Sequence, residues 1–384
     1  MPDSLNIALQ NSTSSNTVFA YISGQALQNN SARFFVRADH EHTLYFPSLP
    51  PTNGSPLTDD CAIPLGAPGN TVTVKIPQMA GGRIYFSIDA PLAFFLNNSN
   101  GELGLVEPSV ANPTDPNINV NWGFCELTLD KDQVFANISY VDFVSIPIAL
   151  SLQTASGKVQ HVLGMPVDGL DKICTKLREQ AERDKKSWDK LVVSRNGKNL
   201  RALSPNLEEA LFTGYYEQYT QRVFDKFAST NILVNTQAGA GTVSGGTVNG
   251  ELVFSGNVFA RPSTADIFSC NTGPFSIDKD TNDTRKAIIP RLAAAFNRST
   301  LLGGSHHPSR LQTFYKTDPT NHYSRIVHEG NLDHKGYAFA YDDVAPADGI
   351  DQSGEVDAGD PVLLTVSVGG GHAHVNPSPV HDEL

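Results

Sequence analysis

Trp122-Gly123-Phe124-Cys125-Glu126-Leu127-Thr128-Leu129 alternates between two kinds of side chain. Successive residues of a strand point to opposite faces, so Trp122, Phe124, Glu126 and Thr128 share one face and Cys125, Leu127 and Leu129 the other. The second face reads as core, while the first carries a carboxylate among aromatic rings. A second apolar run, Tyr140-Val141-Asp142-Phe143-Val144-Ser145-Ile146-Pro147, contains another acid, directed opposite to Phe143. If Asp130-Lys131-Asp132-Gln133 and the residues after it form the turn of an antiparallel hairpin, a centre near Val134 sets Glu126 level with Asp142.

The same short-strand pattern fills the chain on the N-terminal side. Thr17-Val18-Phe19-Ala20-Tyr21-Ile22, Ala32-Arg33-Phe34-Phe35-Val36, Thr71-Val72-Thr73-Val74-Lys75-Ile76 and Arg83-Ile84-Tyr85-Phe86-Ser87-Ile88 are separated by Pro-, Gly- and Asn-rich connectors. Strands spaced in this way build a sandwich or barrel. Over 168–193 the period changes, with Leu170, Ile173, Leu177, Ala181, Trp188 and Leu191 marking a helix. Further helices are expected at 207–228, opened by Ser204-Pro205-Asn206, and at 283–296, where Pro290 starts or kinks the element. Between them 232–258 reads as a β-hairpin. After Leu311 strand signals return in Gly336-Tyr337-Ala338-Phe339-Ala340-Tyr341 and Val362-Leu363-Leu364-Thr365-Val366-Ser367-Val368. The expected architecture is a β-dominated α+β protein. A β-sandwich or barrel domain from residues 1–165 and 311–384 receives an inserted mixed α/β domain over 166–310, and a ligand groove lies between them.

Composition fits that class. The 384 residues are 40% hydrophobic and 18% charged, with 31 Gly and 24 Pro. The net charge of -12 supplies no phosphate-neutralising surface, so nucleic acid is excluded as a partner. No apolar run of about 18 residues occurs, which excludes a transmembrane helix and a membrane partner. Cys61, Cys125, Cys174 and Cys270 form no C-x-x-C pair; they allow three disulfide pairings, or remain buried thiols. Gly239-Ala240-Gly241-Thr242-Val243-Ser244 lacks the third glycine of a dinucleotide fingerprint and precedes a strand. His40-Glu41-His42, His306-His307 and His372-Ala373-His374 lack zinc-ligand spacing, and the acids of 342–360 lack calcium-loop order. No metal and no cofactor is implied.

The ends of the chain point in different directions. Met1-Pro2-Asp3-Ser4 shows no leader, so a secretory signal is missing or already removed. His381-Asp382-Glu383-Leu384 spells a retrieval signal for the endoplasmic reticulum, which acts only within the secretory pathway; chance and deliberate addition together outweigh a retrieval role. Sequons at Asn11, Asn29, Asn53, Asn97, Asn137, Asn282 and Asn297 suit a secreted protein.

Two carboxylates presented together on a rigid sheet beside aromatic rings are suited to glycosidic-bond cleavage. One acid protonates the leaving oxygen, and the other activates water or attacks carbon. Mutual repulsion and partial burial raise one pKa above the other. The plainer alternative is that an Arg or a backbone amide satisfies both acids in a polar pocket. On the glutamate's face Trp122 and Phe124 are candidates for stacking on sugar rings, and Thr128 for binding a hydroxyl. Arg83, in an otherwise apolar strand, is a candidate for pairing with an acid or binding sugar. Asp342 and Asp343 either border the groove or cap a turn; Tyr323 and His328 are weaker groove-lining candidates.

These residues carry a family resemblance. Gly82-Arg83-Ile84-Tyr85-Phe86-Ser87, Gly101-Glu102-Leu103-Gly104-Leu105-Val106-Glu107-Pro108, the 122–129 and 140–150 segments and Gly336-Tyr337-Ala338-Phe339-Ala340-Tyr341-Asp342-Asp343-Val344 resemble glycoside hydrolase family 64, a family of β-1,3-glucanases that includes laminaripentaose-producing enzymes. The interval from Glu126 to Asp142 matches that of the family's two catalytic acids. The β portion also resembles thaumatin-like proteins, in Glu126-Leu127-Thr128-Leu129, Val141-Asp142-Phe143 and Tyr341-Asp342-Asp343. Those proteins lack a long helical insertion and are richer in disulfides.

The resemblance implies an endo-acting and inverting hydrolase of laminarin- or curdlan-type β-1,3-glucan; a secreted monomer is expected. It releases short laminari-oligosaccharides with Glu126 as general acid and Asp142 as general base, and needs no cofactor. Inversion requires the carboxyls to stand roughly 6.5–9.5 Å apart, whereas directly opposed strand positions have Cβ atoms only about 5 Å apart. The side chains must splay or the register must be offset. The alternative is a non-catalytic β-1,3-glucan-binding protein of thaumatin-like type.

Overall fold

The computed structural model describes residues 3–370, so the His372-Ala373-His374 and C-terminal tetrapeptide readings lie outside the described residues. Strand Ser4–Asn11 pairs in parallel with Pro361–Val368 and antiparallel with Thr71–Pro77, bringing both ends of the described chain into one sheet. Ile148–Thr154 and Val159–Val162 complete that five-stranded sheet. A larger eight-stranded sheet runs Glu355–Ala358, Val134–Ile138, Asn121–Leu129, Met79–Ile88, Val18–Ala26, Ala32–Val36 and Leu44–Tyr45, with Ile63–Pro64 alongside. Alternation does what it predicts: Cys125, Leu127, Leu129, Ile84 and Phe86 are buried in the hydrophobic core. Burying each large apolar side chain contributes about 1.5–3 kcal/mol. Gly82 sits where the Leu127 carbonyl oxygen would lie 2.7 Å from a Cβ, so a side chain there would push apart the strands bearing Arg83 and Glu126.

The segment after Pro166 is mixed. Helix Gly169–Asp184 ends at Lys185, whose φ of 60° is left-handed, and Trp188 and Leu191 then fall on a short 3-10 turn, Ser187–Leu191. The helix expected at 207–228 covers only Glu217–Phe227; Gly214, at φ +76°, separates it from the turn Glu209–Phe212. Helix Asp283–Asn297 runs through Pro290 and starts at Asn282, whose side chain accepts the Arg285 N–H at 2.9 Å. A short helix, Thr264–Ser269, has a capping box from Ser263 and Asp266 that the hydrophobic pattern does not show. The 232–258 region, expected as a single hairpin, folds into four successive antiparallel strands, Ile232–Asn235, Thr242–Val248, Glu251–Phe254 and Asn257–Phe259.

Three local expectations are corrected. Gly336–Tyr341 is not a strand: only Tyr337 bridges, to Ser139, and the Asp342 side chain captures the Ala338 N–H that a ladder would use. Within 140–147 only Phe143–Val144 is strand, and it pairs with Lys198–Leu203 rather than with the 122–129 strand. Residues 322–330 form a helix, His322–Gly330, joined to Gly169–Asp184 through Lys176–Glu329 at 2.8 Å and Arg325–Gln180 at 3.0 Å. Among the described residues no helix is long and apolar enough to cross a membrane.

Candidate functional site

Across the large sheet, Ser23, Arg83, Glu126, Asn137 and Glu355 occupy directly paired positions and therefore share a face. This corrects the hairpin expectation. The Asp130 side chain accepts the N–H groups of Asp132 and Gln133, closing the turn earlier than a centre at Val134 allows. Asn137, not Asp142, is level with Glu126. Along the row Arg83 Nε lies 3.2 Å from Glu126 Oε1, and Arg83 Nη1 lies 2.6 Å from Glu107 Oε2. The Tyr85 hydroxyl donates to Glu107 Oε1 at 2.5 Å, and the Arg83 guanidinium lies 5.0 Å from the centre of the Phe124 ring. Glu126, Arg83 and Glu107 each keep about a third of their side chain in solvent, at 36%, 32% and 33%.

Asp142 reaches the same neighbourhood by another route. After Ile138 the chain leaves the sheet, the Tyr140 N–H bonds to the Tyr337 carbonyl at 2.8 Å, and the Asp142 carbonyl accepts the Ser204 N–H at 2.8 Å. The Tyr323 hydroxyl, fully buried, donates to the Tyr140 carbonyl at 2.7 Å, so it fixes the segment that carries Asp142. Asp142 lines a cavity of about 160 Å³ with Arg83, Tyr85, Trp122, Phe124 and Phe143. Glu126 lines a neighbouring one of about 350 Å³ with Arg83, Glu107, Thr128, Phe135 and Asn137. Arg83 is the wall common to both. Burial pushes the Asp142 carboxyl above the ordinary aspartate range; Glu126's charge adds to the rise and Arg83 opposes it. The charge of Glu126 thus reaches Asp142 although Asp142 lies outside the sheet that carries Glu126.

The remaining candidates divide by burial. Thr128 and Arg83 are partly exposed at the cavity of Glu126. Trp122 and Phe124 are almost fully buried, stacked on each other at 6.2 Å with Phe143 edge-on to the indole at 4.8 Å, so they wall the Asp142 cavity rather than offer an open face for a sugar. Asp342 and His328 are interior as well: Asp342 Oδ1 lies 3.0 Å from Arg298 and Oδ2 lies 2.9 Å from His328 Nε2. His328 Nδ1 faces the His334 carbonyl at 3.0 Å, which leaves both ring nitrogens as donors. Burial alone would lower the His328 pKa, but the Asp342 charge and these bonds outweigh it and raise it. Asp343 alone of that group is exposed.

Glu107, Tyr85 and Glu355 were not singled out from sequence. Glu107 follows the strand Glu102–Val106 and Tyr85 alternates within an apolar strand, so neither bears a local mark of its partner. Burial, then Asp351 and Asp357, raise the Glu355 carboxyl to about 7. All four cysteines are free and buried, with no disulfide, and burial lifts the Cys61, Cys174 and Cys270 thiols to about 12. Among the described residues no group of three or more His, Cys, Asp or Glu is placed to hold a metal ion.

Known proteins resemble this chain in sequence and fold. The sequence model of a β-1,3-glucanase family, glycoside hydrolase family 64, covers residues 3–368. Glucan endo-1,3-β-glucosidases of Arthrobacter sp. (strain YCWD3) and Cellulosimicrobium cellulans are each 26% identical over 301 residues, 75% of this chain and 53% of theirs. The chain thus spans about half the length of the curated relatives it matches. A laminaripentaose-producing β-1,3-glucanase solved with laminaritetraose superposes with a TM-score of 0.83 at 28% identity, covering 96% of this chain and 99% of that one. The family 64 β-1,3-glucanase domain from Clostridium beijerinckii shares the fold at 22% identity and a TM-score of 0.74, over 96% of this chain and all of that one. With the match extending over nearly the whole sequence, the chain belongs to the β-1,3-glucanases of glycoside hydrolase family 64.

Proposed function

We propose that this protein is an endo-acting, inverting hydrolase of linear β-1,3-glucan, releasing short laminari-oligosaccharides. Glu126 is the general acid and Asp142 the general base. The observation that carries this reading is Arg83, which lines the cavity of each acid and so makes two carboxyls from different segments parts of one site. Arg83 engages Glu126 through Oε1, leaving Oε2 to deliver the proton to the glycosidic oxygen. Desolvation makes Asp142 the stronger base, suited to taking a proton from water in its small cavity. That water attacks the anomeric carbon from the face opposite the leaving group, and the product is released as the α-anomer. Thr128 and Asp343 bind sugar hydroxyls along a groove between a thaumatin-like two-sheet domain and the inserted α/β region. The complex of a structural relative with laminaritetraose supports the substrate class. A polymeric substrate places the work outside the cell, and a monomer suffices because both acids come from one chain.

The test is incubation with linear β-1,3-glucan, following reducing ends, product size and anomeric configuration by NMR. Short oligosaccharides appearing first as the α-anomer are expected. Initial β-anomer would overturn inversion, and retention on intact polymer with no new reducing ends would make the two carboxyls hydrogen-bonding groups of a binding cleft.

A further inference from the structure

A general acid must hold its proton until the leaving oxygen needs it, yet a guanidinium 3.2 Å away favours the ionised carboxylate. Glu126 has such a neighbour in Arg83. The same guanidinium makes a closer contact, 2.6 Å, with Glu107, and the Tyr85 hydroxyl pins the other Glu107 oxygen. Tyr85 and Arg83 come from one strand, Met79–Ile88, while Glu107 comes from the connection after Glu102–Val106. Two segments distant in sequence therefore converge on a carboxylate that does not belong to the pair of acids assigned to the chemistry.

We infer that Glu107 is a positioning residue for the catalytic pair: by taking up most of the Arg83 charge, in an orientation set by Tyr85, it leaves Glu126 free to carry a proton while Arg83 still spans the cavities of both acids. This rests on the roles proposed above for Glu126 and Asp142. Other charged and titratable groups also face these acids. Tyr337, from the segment before Asp342, lies within the field of Glu126, and Arg33 shares the cavity wall. The Cys125 thiol feels Glu126 from the core side of the same strand, and the buried Tyr323 faces Asp142. Of all these, Glu107 makes the shortest ionic contact with Arg83.

Removing the negative charge leaves Glu126 as the remaining carboxylate on Arg83, and both acids then ionise at lower pH. In Glu107→Gln the alkaline limb of the kcat/KM profile, set by Glu126, is expected to move down by roughly half to one pH unit, and the acid limb, set by Asp142, by less. Glu107→Asp, which restores the charge, should return the alkaline limb toward its original position. Tyr85→Phe, which keeps every charge but releases the orientation of Glu107, should move it in the same direction by no more than a few tenths of a unit. Carbon-detected NMR titration of the side-chain carboxyls in the wild type and in Glu107→Gln reads the Glu126 pKa without any turnover. A Glu126 pKa lowered by Glu107→Gln in a protein whose wild type cleaves no glucan would sink the hydrolase reading and with it the positioning role, leaving only the electrostatic link from Glu107 to Glu126. Unmoved limbs and an unmoved Glu126 pKa in a folded, active Glu107→Gln variant would sink the inference and leave the hydrolase reading standing.

Discussion

Arg83 and Arg298 each pair with a carboxylate, and each lies beside an aromatic ring, Phe124 at 5.0 Å and Phe314 at 4.3 Å. Their surroundings separate them. Arg83 keeps 32% of its side chain in solvent and touches two acids that solvent also reaches, whereas Arg298 and Asp342 are 2% and 0% exposed and share their remaining bonds with backbone carbonyls and His328. In water the Arg83 contacts are weak and can be exchanged for contacts to a ligand. Inside the protein the Arg298 contacts are obligatory, because an unpaired buried charge costs several kcal/mol. The same pair of residue types thus makes an adjustable site in one place and a structural tie in the other. The tie holds the 334–344 segment through His334, Ala338, Asp342 and Val344.

Neutralising one acid in each region should break the comparison most sharply. Glu126→Gln or Asp142→Asn is expected to lower glucan hydrolysis by about 10³-fold while the unfolding midpoint stays put, since acid-base catalysis contributes about 10²–10⁴. Full activity in either variant would remove that acid from the chemistry. Asp342→Asn keeps the shape but leaves Arg298 or His328 uncompensated, and denaturant unfolding should show a loss of about 3–5 kcal/mol. The corresponding change in the exposed cluster, Glu107→Gln, should cost under about 1 kcal/mol. Equal losses would mean that burial does not distinguish the two clusters.

A further effect, confined to one end of the pH range, has the opposite sign. Glu355 titrates at about 7 in the folded state, above its ordinary value of 4.5. The folded protein therefore binds a proton that the unfolded chain has released, and stability falls as pH rises from about 4.5 through 7. Glu355→Gln removes that penalty. It should stabilise the protein by about 1–2 kcal/mol at pH 8, after allowance for solvent screening, and by nothing near pH 4. Thermal unfolding at the two pH values decides the matter; a uniform effect would mean that the carboxyl is not the titrating group.

How far the site can be read from sequence follows from the range of each interaction. Glu126, Arg83 and Thr128 stand out because a charged or polar residue inside an apolar alternating strand has to face away from the core, and that is a property of near neighbours. Asp142 stands out for the same reason, but its placement depends on where a turn closes, and Asp130 closes it early. A register shift of this kind changes which residues meet across the sheet. Asp342, Tyr323 and His328 are candidates for bordering the groove in sequence, yet tertiary contacts bury them. Glu107 becomes visible only when the strand carrying Arg83 and Tyr85 comes alongside it.

What the sequence determined by itself is the set of strand faces: period-two alternation assigns each side chain to one of two faces before any partner is known. It also indicated that both ends of the chain join one β region, since strand patterns occur at each end and helical periods lie between. The tertiary structure alone decided which strands pair, that Asn137 rather than Asp142 stands opposite Glu126, and that Arg83 joins the cavities of the two acids. The physical reason is that alternation is set by the backbone within a few residues, whereas pairing, burial and ionic partnership arise between segments tens to hundreds of residues apart.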